Sequence, residues 1–214
     1  MEVKSRRTEH AADTRRALID AARRLFSQWG YSATSLDDVC QRARVTKGAL
    51  YHHFPNKEEL FVAALEQVED ELVRAGAAAV DPGTDFWERL RAAGPSFLDA
   101  CARSNTRRIV IEAPAVLGWQ RCRDIEDGHV VRLLRTALEH AVAEGLLRSD
   151  HPDLLARLLV ALFNEASMIV ANASDPQAAR RAASQELDAI IAGLRPPHQP
   201  PSEVPVTNLP RLDS

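Results

Sequence analysis

The chain has 214 residues, of which 45% are hydrophobic, 27% charged and only 5% aromatic; these shares exclude a disordered chain, and the excess of Ala, Leu, Arg and Glu favours helices. Residues 1–56 hold ten Lys or Arg and six Asp or Glu, a net charge of +4, whereas the remainder holds seventeen and twenty-four, a net charge of −7. A basic region that could bind a polyanion therefore precedes an acidic one. We find neither an apolar run long enough to cross a membrane nor a secretory signal, and expect a cytoplasmic protein.

The first predicted unit is a three-helix domain over residues 13–56, which follows an arm at 1–12 that we expect to be flexible. Its first helix runs from Thr14 to Trp29, with apolar residues recurring at steps of three and four. Gly30 directly follows this pattern, and glycine is common where a helix ends. Arg6 and Arg7 could enter a DNA minor groove, although the sequence favours a merely solvated arm.

Two short helices follow, and each starts with a capping residue. Ser35 lies three residues before Asp38, which is the spacing of a capping box, and it begins a helix that extends to Ala43. Thr46 can cap the next helix, which Pro55 ends. Two short capped helices joined by a tight turn, after a longer supporting helix, predict a helix-turn-helix.

The rest of the chain is predicted to form a larger helical domain over residues 57–194. A long helix runs from Lys57 to about Ala79, and Asp81-Pro82-Gly83 breaks the pattern. Beyond this break, Gly, Pro and Asn residues separate five further helices at about 85–102, 105–116, 119–147, 152–172 and 176–194. The fold class is therefore all-α with about nine helices. Residues 195–214 hold six of the twelve prolines, and we expect a disordered tail.

The second short helix has an outward face suited to DNA. Ala49, Leu50 and Phe54 can pack inward, which leaves outside a set of polar, cationic or backbone-exposing residues: Thr46, Lys47, Gly48, Tyr51, His52 and His53. Such groups bind base edges and phosphates, and Gly48 removes a side chain where the helix must approach a groove closely. Two of only three lysines, Lys47 and Lys57, flank this helix.

Two runs of sequence resemble the DNA-binding motif of the TetR family of transcriptional regulators. They are Thr34-Ser35-Leu36-Asp37-Asp38-Val39 and Val45-Thr46-Lys47-Gly48-Ala49-Leu50-Tyr51-His52-His53-Phe54-Pro55-Asn56-Lys57-Glu58. The resemblance covers about residues 12–65 and is highly specific; a weaker one, to the body of a TetR subgroup, continues at 114–119 and 154–158. It implies a homodimer that binds a palindromic double-stranded operator, represses transcription and is released by a small-molecule effector.

The resemblance also implies roles for individual residues. Thr34 and Ser35 would contact phosphates at the start of the second helix. Lys47, Gly48 and His52 would face bases. The remaining DNA contacts would be made to the backbone and from the turn, by Tyr51, His53, Lys57, Arg44 and Thr46.

The resemblance further implies that the larger domain encloses an apolar effector pocket and that the last two helices form the dimer interface. The candidate pocket residues are Trp87, Phe97, Cys101, Glu112, Trp119, His129, Phe163, Asn164 and Met168. For each apolar member taken alone the sequence favours an ordinary core position, and the polar members are equally compatible with a position facing solvent.

Other classes of function are disfavoured by the sequence. His52 and His53 diverge by about 100° on a helix, and no Cys or carboxylate completes a set of ligands, so we expect no metal and no cofactor. No motif orients Cys101, Cys122 and His129 as a nucleophile and base, which argues against an enzyme that uses the pocket. An effector-independent regulator or an activator is the alternative that the sequence leaves open.

Overall fold

The computed structural model describes residues 2–78, 83–102 and 104–196, and all regular structure in these ranges is helical. The α-helices are α1 (Glu2–Trp29), α2 (Leu36–Ala43), α3 (Lys47–His53), α4 (Lys57–Ala78), α5 (Phe86–Ala102), α6 (Ser104–Leu117), α7 (Trp119–Glu126), α8 (Arg132–Ala143), α9 (Pro152–Asn172) and α10 (Pro176–Gly193). A π-helical turn at Asp127–Val131 joins α7 to α8 into one continuous helix. Counted so, the described residues form nine helices, and the all-α prediction is confirmed.

Helix α1 begins earlier than the sequence predicted. It starts at Glu2 rather than Thr14, so the backbone of the expected flexible arm is helical from its second residue. Thr14 does not begin the helix; its hydroxyl donates to the carbonyl of His10, one turn earlier, at 2.8 Å. The physical reason is local, since residues 2–13 contain neither Gly nor Pro and nothing in them stops a helix.

The N-terminal unit, called the head below, comprises α1–α3 and the first turns of α4 as far as Leu65. Its centre is aromatic: the rings of Phe26 on α1 and Phe61 on α4 meet edge to face with centroids 5.1 Å apart, and Tyr31 packs against both. Leu50 attaches α3 to this core and is fully buried. Because α4 supplies Phe61, the core of the head extends past residue 56.

The remainder, called the body below, is built around α9, which packs against α5, α8 and α10. Leu98, Leu138 and Ile191 lie at its centre and are almost completely buried. Within the described ranges, no helix combines the length and apolarity that a bilayer span would need. Helix α4 crosses from the head into the body, and it is therefore the main covalent and mechanical link between them.

Apart from the start of α1, the predicted helix ends are mostly confirmed, with one further exception. Ser35 and Asp38 form the reciprocal capping box at the start of α2, and Asp175 caps α10 ahead of Pro176. The helix predicted over 119–147 instead ends at Ala143, because Gly145 takes a φ of +72° and turns the chain. Residues 79–82, 103 and 197–214, which include most of the predicted break and of the predicted tail, lie outside the described ranges.

Candidate nucleic-acid interface and ligand cavity

Helix α3 presents its predicted outward face to solvent. Lys47, Gly48, Tyr51 and His52 are all exposed, with 55% of the Tyr51 surface accessible, while Leu50 on the opposite side is fully buried. Thr46 begins the helix, and its hydroxyl oxygen accepts the backbone N–H of Ala49 at 3.2 Å. The face is therefore held by a capped helix with a buried apolar side, as a rigid recognition surface requires.

The turn between α2 and α3 is fixed by one residue in an uncommon conformation. Arg44 lies in the left-handed region with φ 56°, and among the described residues it is the only non-glycine there. This conformation ends α2: the N–H of Arg44 donates to the carbonyl of Gln41, and the N–H of Val45 donates to the carbonyl of Cys40. The exposed Arg44 side chain consequently lies beside the start of α3.

An ion pair links the two short helices on this face. The Lys47 Nζ atom lies 2.6 Å from Asp37 Oδ1, and both side chains are more than 60% exposed. The hydrogen bond and charge of Asp37 raise the pKa of Lys47. Such an exposed pair adds little to folding stability, because solvent screens it. It holds the ammonium group at the N-terminal edge of α3, where a DNA phosphate could compete with Asp37.

His53 differs from its neighbour His52 in being half-buried. Burial, followed by the charges of His52 and Arg15, lowers the pKa of His53, so its imidazole stays neutral at lower pH than usual. The guanidinium of Arg15 lies 5.2 Å from the centre of the Phe54 ring beside it. This end of α3 therefore offers a neutral hydrogen-bonding ring and an additional cation from α1, which the sequence had not singled out.

The structure corrects the surface role expected for the Thr34 side chain. Thr34 is 1% exposed, and its hydroxyl donates to the carbonyl of Gly30 at 2.8 Å. Its side chain secures the loop between α1 and α2 instead of facing a phosphate. Ser35 is exposed, although its hydroxyl already serves the capping box, as it accepts from the Asp38 N–H at 3.1 Å.

Lys57 is also placed differently from the expectation. Its ammonium donates to the carbonyls of Tyr31 and Thr34 at 2.8 and 3.0 Å and lies 4.2 Å from the centre of the Tyr31 ring. Two of the three ammonium donors are thus used inside the head, and the phosphate contact of Lys57 stays a prediction. A sequence pattern could not reveal this, because the acceptors are main-chain atoms about twenty-five residues away.

Several polar contacts join the head to the body, and two of them involve residues of α6 and α7. The Glu112 carboxylate on α6 accepts the Tyr31 N–H at 2.7 Å, and it lies so close to Gly30 that a Cβ added there would be 2.6 Å from Oε1. Arg121 on α7 pairs with Glu58 at 3.1 Å and with Glu59 at 2.6 Å at the start of α4. Glu112, expected in the effector pocket, is therefore a junction residue.

The body contains one large cavity, of about 610 Å³, among its described residues. It lies between α4, α5 and α8, with α9 behind it, and its walls are almost wholly apolar. Its lining includes Leu72, Gly76, Phe86, Leu90, Phe97, Val130, Leu134, Ala137, Val160 and Phe163, with Arg89, His140 and Glu144 as its exposed polar members.

Two of the nine predicted pocket residues, Phe97 and Phe163, line this cavity. Cys101 cannot be placed, because its side chain lies outside the described part of the structure. The other predicted residues do not line it. Trp87 is buried near Arg195, Glu112 lies at the junction between head and body, and Trp119 is 70% exposed. His129 is paired with Asp70, Asn164 is hydrogen-bonded to Glu126, and Met168 is half-buried.

Most of the lining residues were missed by the sequence analysis, and the reason is chemical. Leu72, Leu90 and Leu134 are ordinary aliphatic residues at helical spacing, and nothing in their order separates a cavity wall from a filled core. Gly76 could have been noticed, because a residue without a side chain on a helix face that packs against other helices leaves volume unfilled.

Models of two known domains match the chain. The model described as "Bacterial regulatory proteins, tetR family" matches residues 18–64, which is the head. The model described as "Tetracyclin repressor-like, C-terminal domain" matches residues 87–194, which is most of the body. The first match lies within the head and the second lies within the body.

Individual proteins are similar over most of their length. The Transposon Tn10 TetC protein of Escherichia coli is 30% identical over 76% of this chain and 83% of its own. An HTH-type transcriptional repressor of Mycobacterium tuberculosis, Rv1474c, is 29% identical over 79% of this chain and 88% of its own. The crystal structure of a TetR-family regulator from Pectobacterium atrosepticum superposes with a TM-score of 0.72 at 30% identity, covering 87% of this chain and 96% of the other.

Proposed function

This chain belongs to the TetR family of bacterial regulatory proteins, and on that premise we propose that it is a repressor whose operator binding is relieved by a small molecule. It is a helix-turn-helix transcriptional regulator with an all-α fold. The observation that carries the proposal is the exposed face of α3, whose opposite side is buried. This face presents the ammonium group of Lys47, the bare backbone of Gly48, the phenol of Tyr51 and the imidazole of His52. As a DNA-binding regulator of this bacterial family, the protein would act in the cytoplasm.

In the proposed complex, α3 enters the major groove. Lys47 and His52 contact base edges, and Gly48 lets the helix approach closely. Tyr51 and His53 bind the phosphate backbone; Ser35, Arg44 and Thr46 are also near enough to contribute. Because many of these contacts involve phosphates, affinity should fall steeply as salt rises.

A homodimer is supported by exposed apolar residues on α9 and α10. Leu154, Leu158 and Ile169 lie along one face of α9 and are 53–58% exposed, and Ile190 on α10 is 44% exposed. Other apolar residues of these helices, such as Leu159, pack inside their own subunit. The outward residues would be covered by the same helices of a second copy in a two-fold interface.

Release by an effector is supported by the position of α4. Its first turns contribute Phe61 to the core of the head, while Leu72 and Gly76 at its other end line the cavity. A molecule that fills the cavity and shifts α4 would move the head of each subunit and change the separation of the two α3 helices. The effector must bind the released conformation more tightly, because only differential affinity shifts such an equilibrium.

Selection of genomic fragments by the purified protein, followed by footprinting, tests the proposal. We expect a palindromic site with two protected half-sites whose centres are roughly 34–36 Å apart, or one helical turn. A footprint that overlaps a promoter supports repression, and one upstream of it supports an activator. Retention of fragments without any shared sequence would contradict the proposal.

The dimer is tested separately by light scattering. Leu158→Glu places a charge on the exposed face of α9 and should yield a monomer that no longer selects the operator. Arg132→Glu on α8 also introduces a carboxylate at an exposed position, and this control should stay dimeric. A dimeric Leu158→Glu variant would show that the subunits associate elsewhere.

A further inference from the structure

Polar groups gather one helical turn beyond the lining of the cavity. On α4, Glu69 precedes the lining residue Leu72 by three positions; on the continuous α7–α8 helix, Glu126 precedes Val130 by four. On α9, Asn164 follows the lining residue Val160 by four positions. Residues three or four apart lie on the same helix face, so these groups lie beside one end of the cavity.

Glu69 is the unusual member of this group, because it is buried without a partner. It is 7% exposed, its carboxyl oxygens are not among the fully enclosed atoms, and no hydrogen bond or ion pair joins it to another described residue. The charges nearest to it, those of Glu126 and Asp70, are negative. Buried carboxylates are normally paired or hydrogen-bonded, since an isolated one is costly. Glu69 is therefore placed as the acidic member of an ion pair with a cation would be.

The neighbouring groups cannot neutralise it. The Glu126 carboxylate accepts the amide of Asn164 at 2.9 Å, and burial still raises the pKa of Glu126. Asp70 is paired with His129 at 2.9 Å, and the thiol of Cys122 has its pKa raised by burial and by Glu126 and Glu69. Burial, with Glu126 and Asp70, raises the pKa of Glu69 to about 8. The empty site therefore holds Glu69 protonated near neutral pH.

A bound metal ion fits these residues poorly. The described residues hold no group of three side chains placed to ligate one. Next to the carboxyls lies the wide cavity with walls of Leu72, Phe97, Leu134 and Phe163, which suits a hydrocarbon or aromatic body rather than a hydrated ion.

We propose that the effector is an amphipathic organic cation, with its apolar body in the cavity and its positive group against Glu69 and Glu126. The inference rests on the proposed function only in taking the cavity as the effector site. Binding converts the Glu69 carboxylic acid to a carboxylate, and its proton goes to the solvent. Since Glu69 lies on α4, the cation forms its new contact on the helix that carries the head.

Calorimetry of the full-length protein tests this with two ions of equal shape, tetraphenylphosphonium and tetraphenylborate. We expect the phosphonium ion to bind and the borate to bind far more weakly. Phosphonium binding should release a proton, seen as a heat that depends on the ionisation enthalpy of the buffer. Its affinity should rise about tenfold per pH unit until about pH 8, where Glu69 is ionised without help.

Variants locate the charge that matters. Glu69→Gln keeps the shape and removes the carboxylate, and should weaken phosphonium binding on the order of a hundredfold. Glu126→Gln is the second variant, with an expected effect in the same direction. Glu88→Gln is the matched control, because Glu88 is an exposed carboxylate on α5 that does not line the cavity, and it should change affinity by less than about twofold. Circular dichroism checks that each variant keeps its helix content.

The outcomes separate the two proposals. Equal binding of both ions, no binding of either, or unchanged phosphonium affinity in folded Glu69→Gln would overturn the cation site. If phosphonium binds as expected but wild-type protein stays on its operator, the cation site stands and release by an effector is refuted. If a neutral molecule releases the operator while phosphonium does not bind, release stands and the cation site is refuted.

Discussion

The head and the body place their functional residues in opposite ways. In the head, the residues proposed to bind DNA are those that do not pack: Lys47, Tyr51 and His52 are exposed while Leu50 behind them is buried. In the body, the residues proposed to bind a ligand are apolar ones that resemble core, such as Phe97 and Phe163. A surface site can therefore be predicted from the sequence, because its polar residues differ from the apolar residues behind them. A cavity cannot, because its lining residues are of the same apolar types as those of a filled core.

The largest expected effect tests whether this difference is real. Phe26→Ala removes a fully buried ring from the head and should lower the free energy of unfolding by about 3–5 kcal/mol. Phe97→Ala removes a half-buried ring from the wall of an existing cavity and should cost clearly less, because the ring has partner atoms on fewer sides. Urea unfolding at one protein concentration compares them. Equal losses would mean that Phe97 is ordinary core.

Much of the head could be predicted because its signals are local. The capping box of Ser35 and Asp38, the Thr46 cap and the helix between them each depend on residues within one turn of each other. The exposed face of α3 followed from the alternation of packing and polar residues. The roles of Thr34 and Lys57 could not be predicted, because each depends on carbonyl groups brought near by the fold.

The second prediction concerns the pH dependence of stability in the body. Glu69 has a pKa of about 8 in the folded chain and near 4.5 in the unfolded one, so between these values only the folded state keeps the proton. Its contribution to the free energy of unfolding is therefore lost progressively as pH rises to about 8. Glu69→Gln should lie close to the wild type at about pH 5 and gain about 4 kcal/mol on it above about pH 8. Parallel pH profiles of the two proteins would show that Glu69 is not buried as described.

The third prediction compares two glycines of the head. Gly30→Ala forces alanine into a φ of +86° and places its Cβ against Glu112, so it should cost about 2 kcal/mol of stability. Gly48→Ala meets no atom within 4 Å and, on a helix, should stabilise the fold by about 0.5–1 kcal/mol while weakening operator binding. Thermal unfolding and operator titration measure both. A stable Gly30→Ala variant would contradict the close head–body junction.

The helices of the body could be predicted from the sequence, but most of the residues that line its cavity could not. The helices after Lys57 followed from Pro and Gly positions, whereas the cavity depends on how side-chain volumes sum across four helices. Glu69 was not singled out either, since one Glu in an amphipathic helix carries no sign of burial. The early end of α8 at Ala143 follows from the left-handed conformation of Gly145. Glycine permits this conformation, but a glycine in the sequence does not require it.

Electrophoretic titration of the selected operator with Lys47→Ala, His52→Ala and Arg132→Ala tests the central claim most directly. All three substitutions remove an exposed basic side chain, but only the first two lie on α3. The account predicts that Lys47→Ala and His52→Ala weaken specific binding by about 1–3 kcal/mol and relax sequence preference, with Arg132→Ala unchanged. Unchanged affinity and unchanged preference in both α3 variants would contradict it.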